Sequence, residues 1–100
     1  MPQLSMETTH SLGREEAARR LKEKFLAVRD RYGSHVDNLR ENWTDHTFSF
    51  GFKAMGMGIS GIVEVEDGSV KLKAELPLAA MLFKGSIERQ IRQELSGLLA

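Results

Sequence analysis

The strongest restriction on the fold comes from residues 59–76, ISGIVEVEDGSVKLKAEL, which alternate apolar and polar side chains on both sides of a short turn. A period of two is that of a β-strand, whose successive side chains point to opposite faces of a sheet. Between the two runs, Asp67 and Gly68 form the Asp-Gly pair that favours a tight hairpin turn. The stretch therefore predicts an antiparallel hairpin of strands 59–66 and 69–76, with one face in water and one apolar face that other elements must cover.

Shorter patterns predict three more strands. The segment TFSFGF places Phe48, Phe50 and Phe52 on one face, which is typical of a strand that brings large aromatic groups to a core. LRENW alternates more weakly and is followed by the turn TDH, and QLSMET alternates near the start of the chain. The glycines of AMGMG are interpreted as a turn. The three predicted strands are 3–8, 39–43 and 47–54.

Two helices are predicted from apolar spacings of three and four residues. The first covers residues 12–32, with Ser11 as its N-cap and Gly33 as its stop. The second ends at residue 99 and begins either near Leu78 or at Ser86, after Pro77 has ended the preceding strand. The stripe of the first helix contains Ala17, Leu21, Phe25, Val28 and Tyr32, and that of the second contains Ile87, Ile91, Leu95 and Leu98.

The resulting order, β-α-β-β-β-β-α, predicts one α+β domain over residues 1–100. Since each strand has one apolar face and each helix one apolar stripe, the economical arrangement is a two-layer sandwich, with both helices on one face of an antiparallel sheet. In this arrangement the sheet residues Phe48, Phe50, Phe52, Val63 and Leu72 face the helix residues Leu21, Phe25, Ile91 and Leu95.

Composition excludes several classes of function. Fourteen basic residues balance fourteen acidic ones, so no net charge attracts the chain to nucleic acid. Cysteine is absent, which excludes disulfides, thiolate metal sites and thiol nucleophiles and fits the cytoplasm. The longest apolar run is far shorter than the roughly 20 residues of a membrane-spanning helix, and the first dozen residues lack a signal-peptide pattern. A cytoplasmic protein without a transmembrane segment is expected.

No catalytic pattern is found in the sequence. The histidines, His10, His35 and His46, share no metal-ligand spacing, and Glu64 and Glu66 lie on the polar face of a predicted strand. GMGISG has the wrong spacing for a phosphate-binding loop. The sequence predicts that the chain is not an enzyme and holds neither a metal nor a cofactor.

Two groups of apolar residues are candidates for binding. Trp43 and the three phenylalanines either fill the core or line an apolar pocket for an acyl ligand. The block after Pro77 has apolar residues on more than one side, so it is core, a surface that docks on something apolar, or a homodimer contact. The candidate pocket comprises Trp43, Phe48, Phe50 and Phe52, and the candidate surface comprises Leu78, Met81, Leu82, Phe83 and Lys84.

Four segments in the same order resemble the polyhydroxyalkanoic acid (PHA) system protein family. They are HSLGREEAARRLKEKF, the tryptophan with its hairpin into TFSFGF, GIVEVEDGSVKLKAELP, and LAAMLFKGSIERQIRQEL. The resemblance runs from about Leu4 to Leu95, and its most telling pieces are HSLG and the Lys-Gly pair at 84–85. The chain departs from the family in having Thr44-Asp45-His46 where a polar-Gly-Asp turn is usual, and in a GMGIS segment that is richer in methionine than expected.

The resemblance implies a small bacterial cytoplasmic protein of PHA metabolism that associates with the granule surface or its proteins. The family carries no established activity, so no catalytic residue is implied. A polyester granule presents an apolar surface, on which Leu78, Met81, Leu82 and Phe83 would dock.

Overall fold

The computed structural model describes residues 3–100, which form seven main elements in the predicted order. Two short 3₁₀ helices lie between them, at Gly33–His35 and Leu78–Phe83. The elements are β1 (Gln3–Thr9), α1 (Arg14–Tyr32), β2 (Asp37–Thr44), β3 (Thr47–Ala54), β4 (Met57–Val65), β5 (Ser69–Glu75) and α2 (Lys84–Leu98).

The five strands form one antiparallel sheet in the order β1-β5-β4-β3-β2. Their register brings inward-facing residues into rows that cross the sheet. One row passes from Met6 on β1 through Leu72, Val63 and Phe48 to Trp43 on β2. Because side chains at paired positions lie on the same face, this row forms the floor of the core.

Both helices cover the inward face of the sheet, which confirms the predicted α+β sandwich. The first half of α1 packs on the sheet through Ala17, Ala18 and Leu21, all of which are buried. The α2 helix lies over β1, and no residue of α2 itself is fully buried. The guanidinium of Arg20 joins the two helices by donating hydrogen bonds to the carbonyl oxygens of Leu98 (3.1 Å) and Ala100 (2.9 Å).

The helix starts differ from the sequence-based prediction. The α1 helix begins at Arg14 after Gly13, whose φ of 81° turns the chain, and the Ser11 side chain makes no cap. The α2 helix begins at Lys84, so Ser86 lies inside its first turn instead of capping it. Of the two predicted starts, Ser86 is two residues too late, and Leu78 is the start of the 3₁₀ helix that leads directly into α2.

The β3–β4 turn places Met55 in a backbone conformation that suits it poorly. Met55 has a φ of 54° and Gly56 a φ of 78°, and two positive φ angles are the signature of a type I′ turn, which favours Asn-Gly. Met55→Asn is expected to raise the free energy of unfolding by about 1 kcal/mol, since asparagine tolerates this region better than methionine. Urea unfolding checks this, with Met55→Val as the matched variant expected to be less stable; equal stability of all three would contradict the account.

An exposed cluster of charged residues on α1 links the stability of the fold to pH in the acidic range. Arg19 donates to both carboxylate oxygens of Glu16, at 2.8 and 2.6 Å, and Arg20 donates to Glu16 Oε2 at 2.9 Å. The hydrogen bond from Arg19, followed by that from Arg20, lowers the pKa of Glu16 from its ordinary 4.5 to about 2. A carboxyl group with a lowered pKa in the folded state stabilises the fold above its ordinary pKa and loses this contribution as the pH falls toward the folded value.

We therefore expect stability to fall between about pH 4.5 and pH 2, and Glu16→Gln to remove part of that fall. The effect is modest because the cluster is exposed and screened by salt. Urea unfolding of both proteins at pH 7 and pH 3 measures it. An equal loss of stability in the two proteins would show that Glu16 does not carry the dependence.

Candidate docking surface and apolar cavity

The 3₁₀ helix of residues 78–83 exposes large apolar side chains. Pro77 ends the sheet pairing of this part of the chain, since proline has no amide hydrogen to donate. The exposed fractions are 78% for Leu78, 87% for Leu82 and 62% for Phe83. Such exposure of neighbouring apolar residues is typical of an interaction surface.

The other two residues of the predicted surface lie closer to the body of the protein. Met81 is half-buried, next to Ala80, which packs against the core. Lys84 is also half-buried at the start of α2, with its ammonium 3.9 Å from Glu88. The outward-facing part of the segment is therefore Leu78, Leu82 and Phe83, with Met81 beneath them.

The sheet topology brings further exposed apolar residues to the same end of the molecule. Because Ser60 on β4 pairs with Glu75 at the end of β5, the β3–β4 turn continues about 10 Å beyond that end. At this turn Met55 is 93% exposed and Met57 is also exposed. The end of α1 and the start of β2 lie at this end as well, since Asp37 pairs with Lys53. We call the following exposed residues the apolar end: Tyr32, Leu39, Met55, Met57, Leu78, Leu82 and Phe83.

The phenylalanines of β3 line a cavity of about 200 Å³ under the C-terminal half of α1. Phe48 is buried, whereas Phe50 and Phe52 are half-buried, and their rings follow one another at 5.8 and 6.4 Å. On the helix side the cavity is bounded by Phe25, which stacks on Phe48 at 4.5 Å, and by Val28. Three of the four predicted pocket residues thus share one cavity.

Trp43, the fourth, lies beside the cavity and does not line it. Its ring is 4.9 Å from that of Phe48 and 6.4 Å from that of Phe25. The ammonium of Lys22 covers its outer side at 5.1 Å from the ring centre. Trp43 therefore contacts two of the aromatic rings that bound the cavity.

The cavity exists because α1 extends past the part of the sheet on which it packs closely. Val28 and Tyr32 belong to the predicted apolar stripe, yet both are exposed, and the core side of α1 ends near Phe25. A second groove, of about 520 Å³, separates this half of α1 from α2. Lys24, Arg31, Gln90 and Glu94 contribute to that groove, so its lining is more polar than that of the cavity.

One ion pair lies in the wall of the cavity. Arg29 on α1 and Glu41 on β2 approach to 3.6 Å, and both line the cavity. Glu41 faces inward because it pairs with Phe50, whose ring lines the same space. The charged atoms of the pair face each other and contribute almost nothing to the surface of the cavity, which is apolar.

Three of the other polar candidates, His10, His46 and Glu66, have partners within the fold. The Nδ1 atom of His10 accepts from the amide of Leu12 at 3.2 Å, so its Nε2–H donates to the Glu66 carbonyl at 3.0 Å. His46 contacts Glu15 at 2.6 Å. The carboxylate of Glu66 lies 3.1 Å from Lys71 and raises the pKa of that lysine. Between residues 3 and 100 no group of three or more histidine, aspartate or glutamate side chains is arranged to hold a metal ion.

The sequence-based prediction missed the contribution of the β3–β4 turn to the apolar end. The available signal was the pair of methionines in AMGMG, which is unusual for a turn because turn residues are normally small or polar. Leu39 and Tyr32 carried no separate signal, since each fits an ordinary strand or helix pattern.

Among the helices of residues 3–100, none combines the length and the apolar character needed to cross a membrane. The search of curated proteins and the search of solved structures found no match to the chain. The family described as "Putative polyhydroxyalkanoic acid system protein" matches residues 4–99, which agrees with the resemblance found in the sequence segments. Since this match spans nearly the whole chain, the protein belongs to the polyhydroxyalkanoic acid system family.

Proposed function

We propose that this protein is a non-enzymatic accessory protein of PHA metabolism, located in the cytoplasm, that docks on PHA granules through its apolar end. The observation that carries the proposal is the exposure of Leu78, Leu82 and Phe83 on one short helix. A polyester granule presents an apolar surface, and burial of each such side chain stabilises the bound state by about 1.5–3 kcal/mol. The proposal also includes, as partners, the granule-associated proteins that cover the polyester.

The total exposed area supports a surface that is covered in the bound state. The chain exposes 6583 Å², whereas a monomer of this size is expected to expose roughly 5700 Å². The exposed side chains of the apolar end contribute to this total.

Self-association through the same residues is the alternative use of this surface. A second copy would bury Leu78, Leu82 and Phe83 as a granule would, and a homodimer would then remain in solution. Two measurements distinguish a second copy of the chain from a granule as the partner of this surface: the oligomeric state of the protein and its response to added polyester.

The proposal is tested by sedimenting purified protein with isolated PHA granules, with polar cellulose particles as the control surface. We expect the protein to sediment with the granules alone and to be monomeric by analytical ultracentrifugation. A protein that remains in the supernatant as a dimer would overturn granule docking and assign the apolar end to self-association. Protein that sediments equally with both particles would also overturn the proposal.

The proposed lack of catalytic activity has its own test. The histidines at 10 and 46 are engaged in contacts that connect elements of the fold, which supports a structural role for them. Purified protein is therefore expected to leave hydroxyalkanoate oligomers and acyl thioesters unhydrolysed. Turnover that follows the protein through successive purification steps would overturn this part of the proposal.

A further inference from the structure

We infer that the cavity beneath α1 binds a single alkyl chain of about eight carbon atoms, whose polar end group stays in water at the mouth of the cavity. The lining of the cavity is separate from the 3₁₀ helix at 78–83, and the inference does not depend on granule docking. Three features carry it: the apolar surface of the cavity, its extension from the interior to an exposed end, and its volume.

The surface of the cavity is almost wholly apolar. Its floor consists of the rings of Phe48, Phe50 and Phe52, which follow one another along β3. The charged atoms of Arg29 and Glu41 face each other and not the cavity. A hydroxyl or charged group placed on this floor would lose its hydration and gain no hydrogen bond in return. The part of a ligand that enters the cavity is therefore hydrocarbon.

The cavity runs from the interior of the fold to the exposed end of α1. At its inner end Phe48 is buried and stacks on Phe25 at 4.5 Å. At its outer end Tyr32 and Leu39 line the cavity and are also exposed to water. Phe48 and Phe52 are four residues apart in an extended strand, so the floor is roughly 13 Å long. A chain therefore enters with its methyl end first and leaves its polar group at the mouth, in water.

The volume limits the length of the chain. An apolar protein cavity of about 150 Å³ holds benzene, which has six carbon atoms. A cavity of about 200 Å³ therefore holds about eight carbon atoms. Burial of each methylene group raises the affinity about fourfold, so the affinity is expected to rise with chain length until the cavity is full. Methylene groups beyond that length remain outside the cavity.

The probe is 1-octanol, which has the expected chain length and one hydroxyl group. Binding is measured by Trp43 fluorescence and by the amide NMR signals of the lining residues. Trp43 is the single tryptophan of the chain and contacts Phe25 and Phe48, so its emission reports on the cavity. We expect saturable binding of one molecule with a Kd on the order of 0.1 mM, as befits so small a ligand.

Three matched probes test the length and the polarity of the chain. 1-Butanol has four fewer methylene groups and is expected to bind at least a hundredfold more weakly. 1-Decanol is expected to gain less than about twofold over 1-octanol, because its two additional methylene groups lie outside the cavity. 1,8-Octanediol has the same chain with a hydroxyl at each end, so one hydroxyl has to enter the apolar space. It is expected to bind at least tenfold more weakly than 1-octanol.

Two variants test the location of the site. Val36→Phe places a ring in the cavity and is expected to abolish binding of 1-octanol, with Leu39→Phe as the second filling variant if the first does not fold. Leu26→Phe adds the same ring to the exposed side of α1, outside the cavity, and is expected to bind as the wild type does. Circular dichroism verifies that each variant is folded.

Several results would overturn the inference. They are the absence of saturable binding of 1-octanol at about ten times the expected Kd, unchanged binding by a folded filling variant, and equal affinity for 1-octanol and the diol. A gain of about fourfold per methylene group that continues from 1-octanol to 1-decanol would also overturn it, because the chain would then lie on an open surface. All of these measurements are made in solution without granules. A failure here therefore leaves the sedimentation result intact, and the reverse also holds.

Discussion

Replacement of Gly61 by alanine is expected to lower the free energy of unfolding by about 2 kcal/mol. Gly61 lies in β4 directly opposite Phe50 on β3. A Cβ atom at position 61 would be 2.7 Å from the Phe50 ring and 2.9 Å from the carbonyl oxygen of Lys73. The carbonyl belongs to the neighbouring strand and cannot move without disturbing the sheet, so the substitution forces a shift of the backbone.

The matched control is Gly58→Ala in the same strand. A Cβ atom at position 58 meets no other atom within 4 Å, so this variant is expected to be as stable as the wild type or slightly more stable. Urea unfolding of the three proteins gives the comparison. Equal stability of Gly61→Ala and Gly58→Ala would show that the Phe50 ring and strand β5 adapt freely, contrary to the tight packing described for this part of the sheet.

The substitution of both Leu78 and Leu82 by glutamate is expected to weaken granule binding at least a hundredfold. The two leucines are 78% and 87% exposed, so the fold does not depend on their burial. Their contact with an apolar surface is worth about 3 kcal/mol together, which corresponds to a factor of more than 100 in Kd. Carboxylates at the same positions add the free energy of removing two charges from water.

A double variant elsewhere on the surface separates the location from the change in charge. Leu26 on α1 and Ile62 on the open face of the sheet are exposed apolar residues outside the apolar end. Leu26→Glu/Ile62→Glu therefore adds the same charge while leaving Leu78 and Leu82 in place. Circular dichroism verifies that both variants are folded, and sedimentation over a range of granule concentrations gives the affinities. Equal loss of binding in the two variants would assign the effect to charge and not to the apolar end.

The sheet could be predicted from the sequence because its signals are local. The alternation in residues 59–76 and the Asp67-Gly68 turn specify strands, faces and register within a single hairpin. The phenylalanine row is equally local, since its period of two is complete within TFSFGF. These elements agree with the structure at nearly every residue.

The cavity could not be predicted from the sequence, because it depends on how far α1 extends past the part of the sheet on which it packs. Val28 and Tyr32 continue the apolar stripe of α1 with correct spacing, but the stripe says nothing about the length of sheet beneath it. Arg29 and Glu41 are twelve residues apart in the chain, and their pairing beside the cavity follows from the fold alone.

The residues that we propose for docking, in the block after Pro77, were predictable only in part. The block after Pro77 is recognisable as apolar in sequence, whereas its exposure depends on the 3₁₀ helix that turns Leu82 and Phe83 outward. The contribution of Met55 depends on the sheet order, which places the β3–β4 turn at the same end as residues 78–83.

The central claim, that the apolar end contacts the granule, is tested most directly by an environment-sensitive fluorophore at single positions. The chain has no cysteine, so Leu82→Cys and Ser11→Cys each provide one site for labelling. Position 82 lies in the apolar end, and position 11 is exposed at the opposite end, after β1. On addition of granules we predict a blue shift of the emission at position 82 and an unchanged spectrum at position 11. A shift at position 11 with none at position 82, or equal shifts at both, would contradict docking through the apolar end.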